Sequence, residues 1–188
     1  MPRKKLVSDS EVLDGALRVI LRHGPHGFTL SQVAEEIGLS RAALIQRFTD
    51  KANLHLCVME RATQEVRDYF AAAGRETGLA PLWAMLTDLI GGMGDGEGFA
   101  GHVLISWADL VDARLNRLAR ERNRLVHEAI AGRLPAVDGR VEKARLIQQV
   151  IQGATMRWLV EPIGPLNTYV TDETRAVLEL MFPEHRFG

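Results

Sequence analysis

Cysteine, aromatic residues and long apolar runs are all scarce in this chain of 188 residues. The single cysteine, Cys57, excludes an internal disulfide and any metal site built from several cysteines. No apolar run approaches the roughly 18 residues of a membrane-spanning helix, and no apolar signal segment follows the basic start Met1–Lys5. We therefore expect a cytoplasmic protein with no membrane partner.

An excess of charge of one sign is also missing, because the formal net charge is only −1. The two parts of the chain differ, however. Residues 1–55 carry eight Lys and Arg against six Asp and Glu, and the remainder carries 15 against 18. A mildly basic N-terminal part on an acidic chain is a weak indication of a polyanionic partner for that part.

Apolar residues recur at helical spacing along the whole chain, and no alternating strand pattern accompanies them. This periodicity predicts an all-α fold of nine helices. We expect Gly24 and Pro25 to end the first helix, and Thr29, Ser40 and Asp50 to cap the second, third and fourth. The last helix is predicted to cover about residues 172–182.

The second and third predicted helices are short and are separated by a tight turn that contains Gly38. A small residue, Ala34, stands where two such helices would cross. This arrangement is typical of a helix-turn-helix, whose second helix enters the major groove of DNA while the first braces it. The sequence therefore predicts a DNA-binding surface between about Thr29 and Lys51.

A family pattern matches this same segment in register. The segment resembles the N-terminal DNA-binding domain of the TetR/AcrR family of transcriptional regulators, over about residues 8–55. The resemblance implies a TetR-like fold, with a helix-turn-helix domain at residues 1–52 and a helical ligand-binding and dimerisation domain at residues 53–188. The matching residues are Gly27, Thr29, Val33, Ala34, Gly38, Leu39, Ser40, Leu44, Phe48, Lys51 and Leu54.

The third helix departs from the family pattern at three positions. Ala42 replaces a glycine, Ile45 a tyrosine and Arg47 a histidine. Ile45 cannot donate a hydrogen bond to a phosphate but can contact a thymine methyl, whereas Arg47 adds a full positive charge. We therefore expect DNA binding with an unusual operator preference. The DNA-binding residues that the resemblance implies are Thr29, Ser40, Arg41, Ala42, Ile45, Gln46, Arg47 and Lys51.

A simpler interpretation exists for several of these residues. Thr29 and Ser40 can serve as N-caps alone, a role that is compatible with binding phosphate. Arg47 and Lys51 can be solvated surface charges. We favour DNA contacts because the residues stand in the register of the family pattern.

The resemblance further implies a homodimeric repressor that a small-molecule effector releases from palindromic operator DNA. A dimer is also expected on physical grounds, because one helix in one major groove reads few base pairs. We place the dimer interface on the last two helices, where small and apolar residues allow close approach. Its residues are Val150, Gly153, Ala154, Trp158, Leu178 and Met181.

The effector pocket is expected among the middle helices, with an adaptable apolar lining. The expected lining residues are Trp83, Met85, Phe99, His102, Trp107 and Met156. His102 and Asp109 can face the cavity from one side of their helix. The glycine-rich stretch Gly91–Gly98 lacks the lysine of a phosphate-binding loop and is interpreted as a mobile connection near the ligand entrance.

Two other classes of protein remain as alternatives: a DNA-binding architectural protein with no effector, and a helical enzyme. No nucleophile elbow, zinc-binding motif or dinucleotide fingerprint is present, so we predict no catalytic residues, no metal and no cofactor. A weak metal site at His23 and His26 is a further, less favoured hypothesis. Cys57 is interpreted as a structural thiol rather than as a redox sensor.

Overall fold

The computed structural model describes residues 7–188. Within that range the chain forms nine α-helices and no β-strand. This confirms the predicted all-α fold. The helices are α1 (Asp9–Gly27), α2 (Leu30–Ile37), α3 (Arg41–Phe48), α4 (Lys51–Ala72), α5 (Leu79–Gly91), α6 (Ala100–Val111), α7 (Ala113–Arg133), α8 (Arg140–Val160) and α9 (Leu166–Met181).

The predicted helix starts in the N-terminal part are confirmed. Thr29 and Gln32 form a reciprocal capping box at α2. The hydroxyl of Ser40 accepts a hydrogen bond from Ala43 N at the start of α3, and Asp50 Oδ1 accepts one from the backbone N of the third residue of α4 at 2.8 Å. These side chains satisfy backbone N–H groups that have no partner within their helices, so local sequence fixes where each helix begins.

The predicted end of the first helix at Gly24 and Pro25 is confirmed as a break, whereas the predicted start of the last helix is wrong. In α1 the regular helix breaks at Gly24, which adopts φ 73°, and one further turn continues to Gly27. Helix α9 begins at Leu166, six residues before the predicted start. Its N-cap is Pro165, because proline fixes a suitable φ and its missing N–H costs nothing at a helix start.

The structure divides into two compact units. The first comprises the described residues up to Arg67 together with Ala100–Arg122, and the second comprises Asp68–Phe99 together with Asn123–Gly188. The boundary between a DNA-binding domain and a ligand-binding domain at residues 52/53 remains a prediction. No helix among the described residues combines the length and apolar character needed to span a membrane.

The core of the first unit is built around α1. Helix α2 approaches α1 closely because position 15 is a glycine: a Cβ there would collide with the side chain of Ile37. Helix α6 also approaches α1 closely, because a Cβ on Gly101 of α6 would collide with the backbone of Leu21. The shared interior consists of fully or almost fully buried residues such as Val12, Ile20, Phe28, Val33, Leu44, Leu54 and Ile105.

A buried polar network also ties the first unit together. Arg122 Nη2 donates to Asp109 Oδ2 at 2.7 Å, and Arg122 Nη1 donates to Thr63 Oγ1 at 2.9 Å. Thr63 in turn donates to the carbonyl of Met59 at 2.8 Å. The side chains of Asp109 and Arg122 are only 8% and 18% exposed. The network links α4, α6 and α7, and it shows that Asp109 is an ion-pair partner rather than a cavity-facing carboxylate.

In the second unit most of the glycine-rich stretch Gly91–Gly98 is exposed, but three of its residues contact neighbouring elements. The carbonyls of Gly94 and Asp95 accept hydrogen bonds from the first backbone N–H groups of α9, both at 3.0 Å. Gly96, at φ 99°, lies so close to the indole of Trp158 that a Cβ would overlap it. Gly94 and Asp95 therefore cap the N-terminus of α9, and Gly96 packs against the indole of Trp158.

Candidate nucleic-acid interface

The turn between α2 and α3 sets the geometry of the candidate interface. Gly38 adopts the left-handed conformation, with φ 69° and ψ 30°, which a glycine accepts at little cost. Leu39 N donates to Ala34 O at 2.9 Å and closes the end of α2. Ser40 then starts α3, so the two helices are joined by three residues, as a helix-turn-helix requires.

Helix α3 has one inner and one outer face. Leu44 and Phe48 point inward and are 0% and 6% exposed. Arg41, Ala42 and Gln46 are exposed, as is Ile45 at 37%. The helix carries no acidic residue. The outer face of α3 is therefore short, exposed and free of negative charge, so it does not repel DNA phosphates.

The structure distinguishes two kinds of polar residue among those predicted to bind DNA. Arg41 and Gln46 make no hydrogen bond or ion pair with any residue in the described range, so their donors are available to an external ligand. Arg47 is different, because its Nη1 donates to Val7 O at 2.7 Å and lies 3.4 Å from Asp9 Oδ1. This side chain fastens α3 to the start of α1.

Lys51 is also engaged within the fold. Its Nζ donates to His26 O at 2.7 Å and lies 4.5 Å from the centre of the Phe28 ring. Partial burial lowers the pKa of Lys51 below its usual range. The ammonium group thus joins α4 to the end of α1, and any phosphate contact would share it with these partners.

The junction between α3 and α4 contains a strained residue that the sequence did not reveal. Thr49 has φ 68° and ψ −60°, and Asp50 N donates to Phe48 O at 2.7 Å across it. This is a γ-turn, a conformation that is unfavourable for a β-branched residue. Thr49 is exposed and follows the outer face of α3 directly, so the strain lies beside the candidate interface.

This geometry agrees with the comparison with known families. The model of the bacterial regulatory proteins of the tetR family matches residues 12–56, which span α1, α2, α3 and the start of α4. The chain carries a TetR-family helix-turn-helix domain. The resemblance predicted over about residues 8–55 is thereby confirmed.

A curated relative covers the same TetR-family domain. The HTH-type transcriptional repressor AcnR of Corynebacterium diphtheriae is 34% identical over 64 residues, which make up 34% of this chain and 34% of AcnR. The matched part of the chain therefore spans about a third of the length of this relative.

Two solved structures extend the likeness in fold over nearly the whole chain. A TetR transcription regulator from Haloarcula marismortui superposes with a TM-score of 0.74 at 16% identity, covering 91% of this chain and 94% of that chain. SmeT, the repressor of the Stenotrophomonas maltophilia multidrug efflux pump SmeDEF, superposes with a TM-score of 0.68 at 16% identity, covering 92% and 89%. The nine-helix TetR-like fold is thus confirmed.

Beyond the TetR-family domain, the residues predicted to line a pocket are divided between the two units and, within the second, between separate core clusters. Trp83 and Met85 are 8% and 6% exposed inside the core of the second unit, and Phe99 packs at another cluster of that unit. Trp107 and Met156 are 59% and 51% exposed, because they occupy the outer sides of α6 and α8.

His102, the remaining predicted pocket residue, lies on the exposed side of α6 in the first unit. Its helical neighbour Asp109 is committed to Arg122, as described above. The two residues therefore do not form the pair of cavity-facing groups that the sequence suggested. The effector pocket in the C-terminal part stays a prediction.

The predicted dimer residues need a correction on α8 and α9. Leu178, Ala154 and Trp158 are 0%, 8% and 9% exposed and pack in the interior of the second unit. The indole of Trp158 also donates to Gly164 O at 3.0 Å. These three side chains serve the core of their own chain, so they are not available to a partner.

The opposite side of α8 offers an exposed surface of which the sequence analysis placed only Gly153 in the dimer interface. Leu146, Met156 and Val160 are 46%, 51% and 85% exposed, and the exposed Gly153 lies between them on the same side of the helix. On α9, Leu180 is 82% exposed. The signal in the sequence was the presence of apolar residues on both sides of α8, of which only one faces the core.

Proposed function

We propose that the protein is a DNA-binding transcriptional regulator that acts as a homodimer, most simply a repressor released from operator DNA by a small-molecule effector. The observation that carries the proposal is the outer face of α3 in a TetR-family domain, where Arg41 and Gln46 have donors with no partner among the described residues, beside Ile45. Such donors can read base edges in a major groove, arginine at guanine and glutamine at adenine.

The base contacts are tested with operator fragments selected by the full protein from genomic DNA. Arg41→Ala is expected to weaken binding about tenfold or more, because a good bidentate base contact is worth roughly 1–3 kcal/mol. Arg75→Ala is the matched control, since Arg75 is exposed on the loop after α4. Fluorescence anisotropy measures both, and equal affinities of the two variants would contradict the assignment.

Arg47 calls for a different experiment, because its hydrogen bond to Val7 O makes it part of the fold. Arg47→Ala is expected to lower thermal stability as well as DNA affinity, whereas Arg41→Ala lowers affinity alone. The salt dependence of DNA affinity shows in addition whether a substituted residue contacts a phosphate. Loss of a phosphate contact reduces the slope of log affinity against log salt by about 1.

The dimer part of the proposal is supported by the apolar outer face of α8 and by Leu180 on α9. Two copies related by a two-fold axis can bury these faces as a four-helix bundle. Leu146→Glu is expected to dissociate the dimer in sedimentation experiments. Leu110→Glu changes an equally large leucine that is 68% exposed on α6, and it is expected to leave the dimer intact. A wild-type protein that sediments as a monomer would refute this part.

Release by an effector and a cytoplasmic location complete the proposal. They are supported by the family of the N-terminal domain and by the likeness in fold to SmeT, and they do not depend on the predicted lining residues. The absence of catalytic activity stays a prediction. Loss of operator binding when the effector is added, measured with full-length protein, distinguishes an effector-controlled regulator from a ligand-independent DNA-binding protein.

A further inference from the structure

A cavity of about 420 Å³ lies within the first compact unit, apart from the outer face of α3. The end of α1, the start of α4, the end of α6 and the start of α7 contribute its walls. Its volume falls in the range of small-molecule sites, roughly 300–1,000 Å³. Val111, which is 61% exposed, and the exposed Ala52 are among the lining residues, so the cavity is reachable from solvent.

The charged side chains in its walls are two aspartates and one lysine, and each makes a contact within the protein. Asp112 is held by Arg114, with Nη2 and Oδ2 2.8 Å apart, and this contact lowers the pKa of Asp112 to about 2. Asp50 accepts a hydrogen bond from Asn53 N, and the Lys51 ammonium is committed to the carbonyl described above. Arg114 offsets the charge of Asp112, and the remaining charges of Asp50 and Lys51 are opposite in sign, so the walls carry little net charge and favour a neutral ligand.

One polar side chain in the walls remains unsatisfied. His55 is 7% exposed, and its Nε2 is buried with no hydrogen-bond partner among residues 7–188. The ring packs edge-on against Phe28, with centroids 6.3 Å apart. Burial lowers the pKa of His55, so the imidazole is neutral at pH 7 and offers one donor and one acceptor. An unsatisfied buried polar group destabilises the protein, and a ligand that hydrogen-bonds to it removes that cost.

We propose that this cavity binds a neutral aromatic molecule of the phenol class. The aromatic body packs against Phe28, Ala108 and Leu115, and the hydroxyl group hydrogen-bonds to the imidazole of His55. A hydroxyl both donates and accepts, so it matches either ring nitrogen.

Occupation of this site also bears on DNA binding, a consequence that rests on the proposed function. Asp50, Lys51 and Ala52 belong to the cavity wall, and they follow α3 after a single residue, Thr49. A bound molecule therefore touches the segment that positions the outer face of α3. It changes DNA affinity to the extent that it binds the DNA-competent and incompetent forms differently.

The test uses the full chain without DNA and 2-naphthol as a fluorescent probe. Saturable binding to the wild type is expected. Ala52→Leu fills the cavity from its exposed wall and is expected to weaken binding at least tenfold. Ala71→Leu makes the same change at an exposed position of α4 that does not line the cavity, and it is expected to bind as the wild type does.

A second pair of measurements isolates the hydrogen bond. His55→Phe is expected to weaken 2-naphthol binding about five- to tenfold, the value of one hydrogen bond. It is expected to leave the weaker binding of naphthalene, which neither donates nor accepts a hydrogen bond, unchanged. This pair decides the question if Ala52→Leu does not fold.

Three results would overturn the proposal: no saturable binding of 2-naphthol to the wild type, equal binding to the wild type and to the folded Ala52→Leu protein, or equal binding to the wild type and to His55→Phe. Because no DNA is present, none of these results bears on the regulator function. Conversely, failure to bind operator DNA would leave the cavity proposal standing.

Discussion

Removal of the buried guanidinium of Arg122 is expected to be among the most damaging single substitutions in the first unit. Arg122→Met keeps most of the volume and removes the only charge that faces Asp109 Oδ2 at 2.7 Å in the described structure. The Asp109 side chain is 8% exposed, so water cannot replace the lost partner. Breaking a buried ion pair in this way costs about 3–5 kcal/mol, a large share of a typical domain stability of about 5–15 kcal/mol.

The pH dependence of this variant follows from the carboxyl group left behind. Burial already raises the pKa of Asp109, and Arg122 counteracts that rise. Without Arg122 the pKa of Asp109 in the folded state rises further above its unfolded value. A group with a raised folded pKa stabilises the protein at low pH and loses that contribution as pH rises through the folded pKa. Arg122→Met is therefore expected to be less destabilised at pH 5 than at pH 8.

Urea denaturation followed by circular dichroism measures these differences. The double variant Asp109→Leu with Arg122→Met replaces the ion pair by apolar groups, and it is expected to recover to within about 1 kcal/mol of the wild type. A single variant that loses less than about 1 kcal/mol, or a double variant as unstable as the single one, would refute the reasoning.

Three further predictions concern local features. Thr49→Gly is expected to raise the free energy of unfolding by about 1 kcal/mol, because relief of backbone strain exceeds the entropic cost of glycine, whereas Thr49→Ala gains little; chemical denaturation compares them. The wild type is expected to be more stable than Asp112→Asn above pH 4, and this difference is expected to disappear as the pH falls toward 2. The reason is that the folded-state pKa of Asp112 is lowered to about 2 from an ordinary 3.8. Denaturation of both proteins at stepped pH checks this. Gly96→Ala, which overlaps Trp158, is expected to cost at least about 2 kcal/mol, and Gly98→Ala, at a positive φ in open space, about 1 kcal/mol; equal thermal shifts would contradict the packing argument.

The order of helices and the caps of the N-terminal part could be predicted because they depend on neighbouring residues. Thr29, Ser40 and Asp50 each satisfy a backbone N–H three residues further on, a spacing that is visible in the sequence. The start of α9 was missed because its first N–H groups are satisfied by Gly94 and Asp95, some 70 residues earlier in the chain. No local pattern contains that information.

The candidate site shows the same division. The outer face of α3 followed from helical periodicity and from the register of the family pattern. The engagement of Arg47 with Val7, and of Lys51 with His26, joins residues 40 and 25 positions apart. On α8 the sequence contains two apolar sides, and only the packed structure shows that Trp158 belongs to the inner one and Val160 to the outer one.

Under the proposed function, the unequal engagement of the polar residues around α3 has a consequence for how DNA recognition by this fold can diverge. Arg41 and Gln46 can be exchanged without disturbing the scaffold, so new operator preferences are accessible there by single mutations. Arg47 and Lys51 anchor the frame that holds the reading helix, so a change at either would alter folding and recognition together. Selection for a different target sequence should accordingly accumulate substitutions at positions 41 and 46 first.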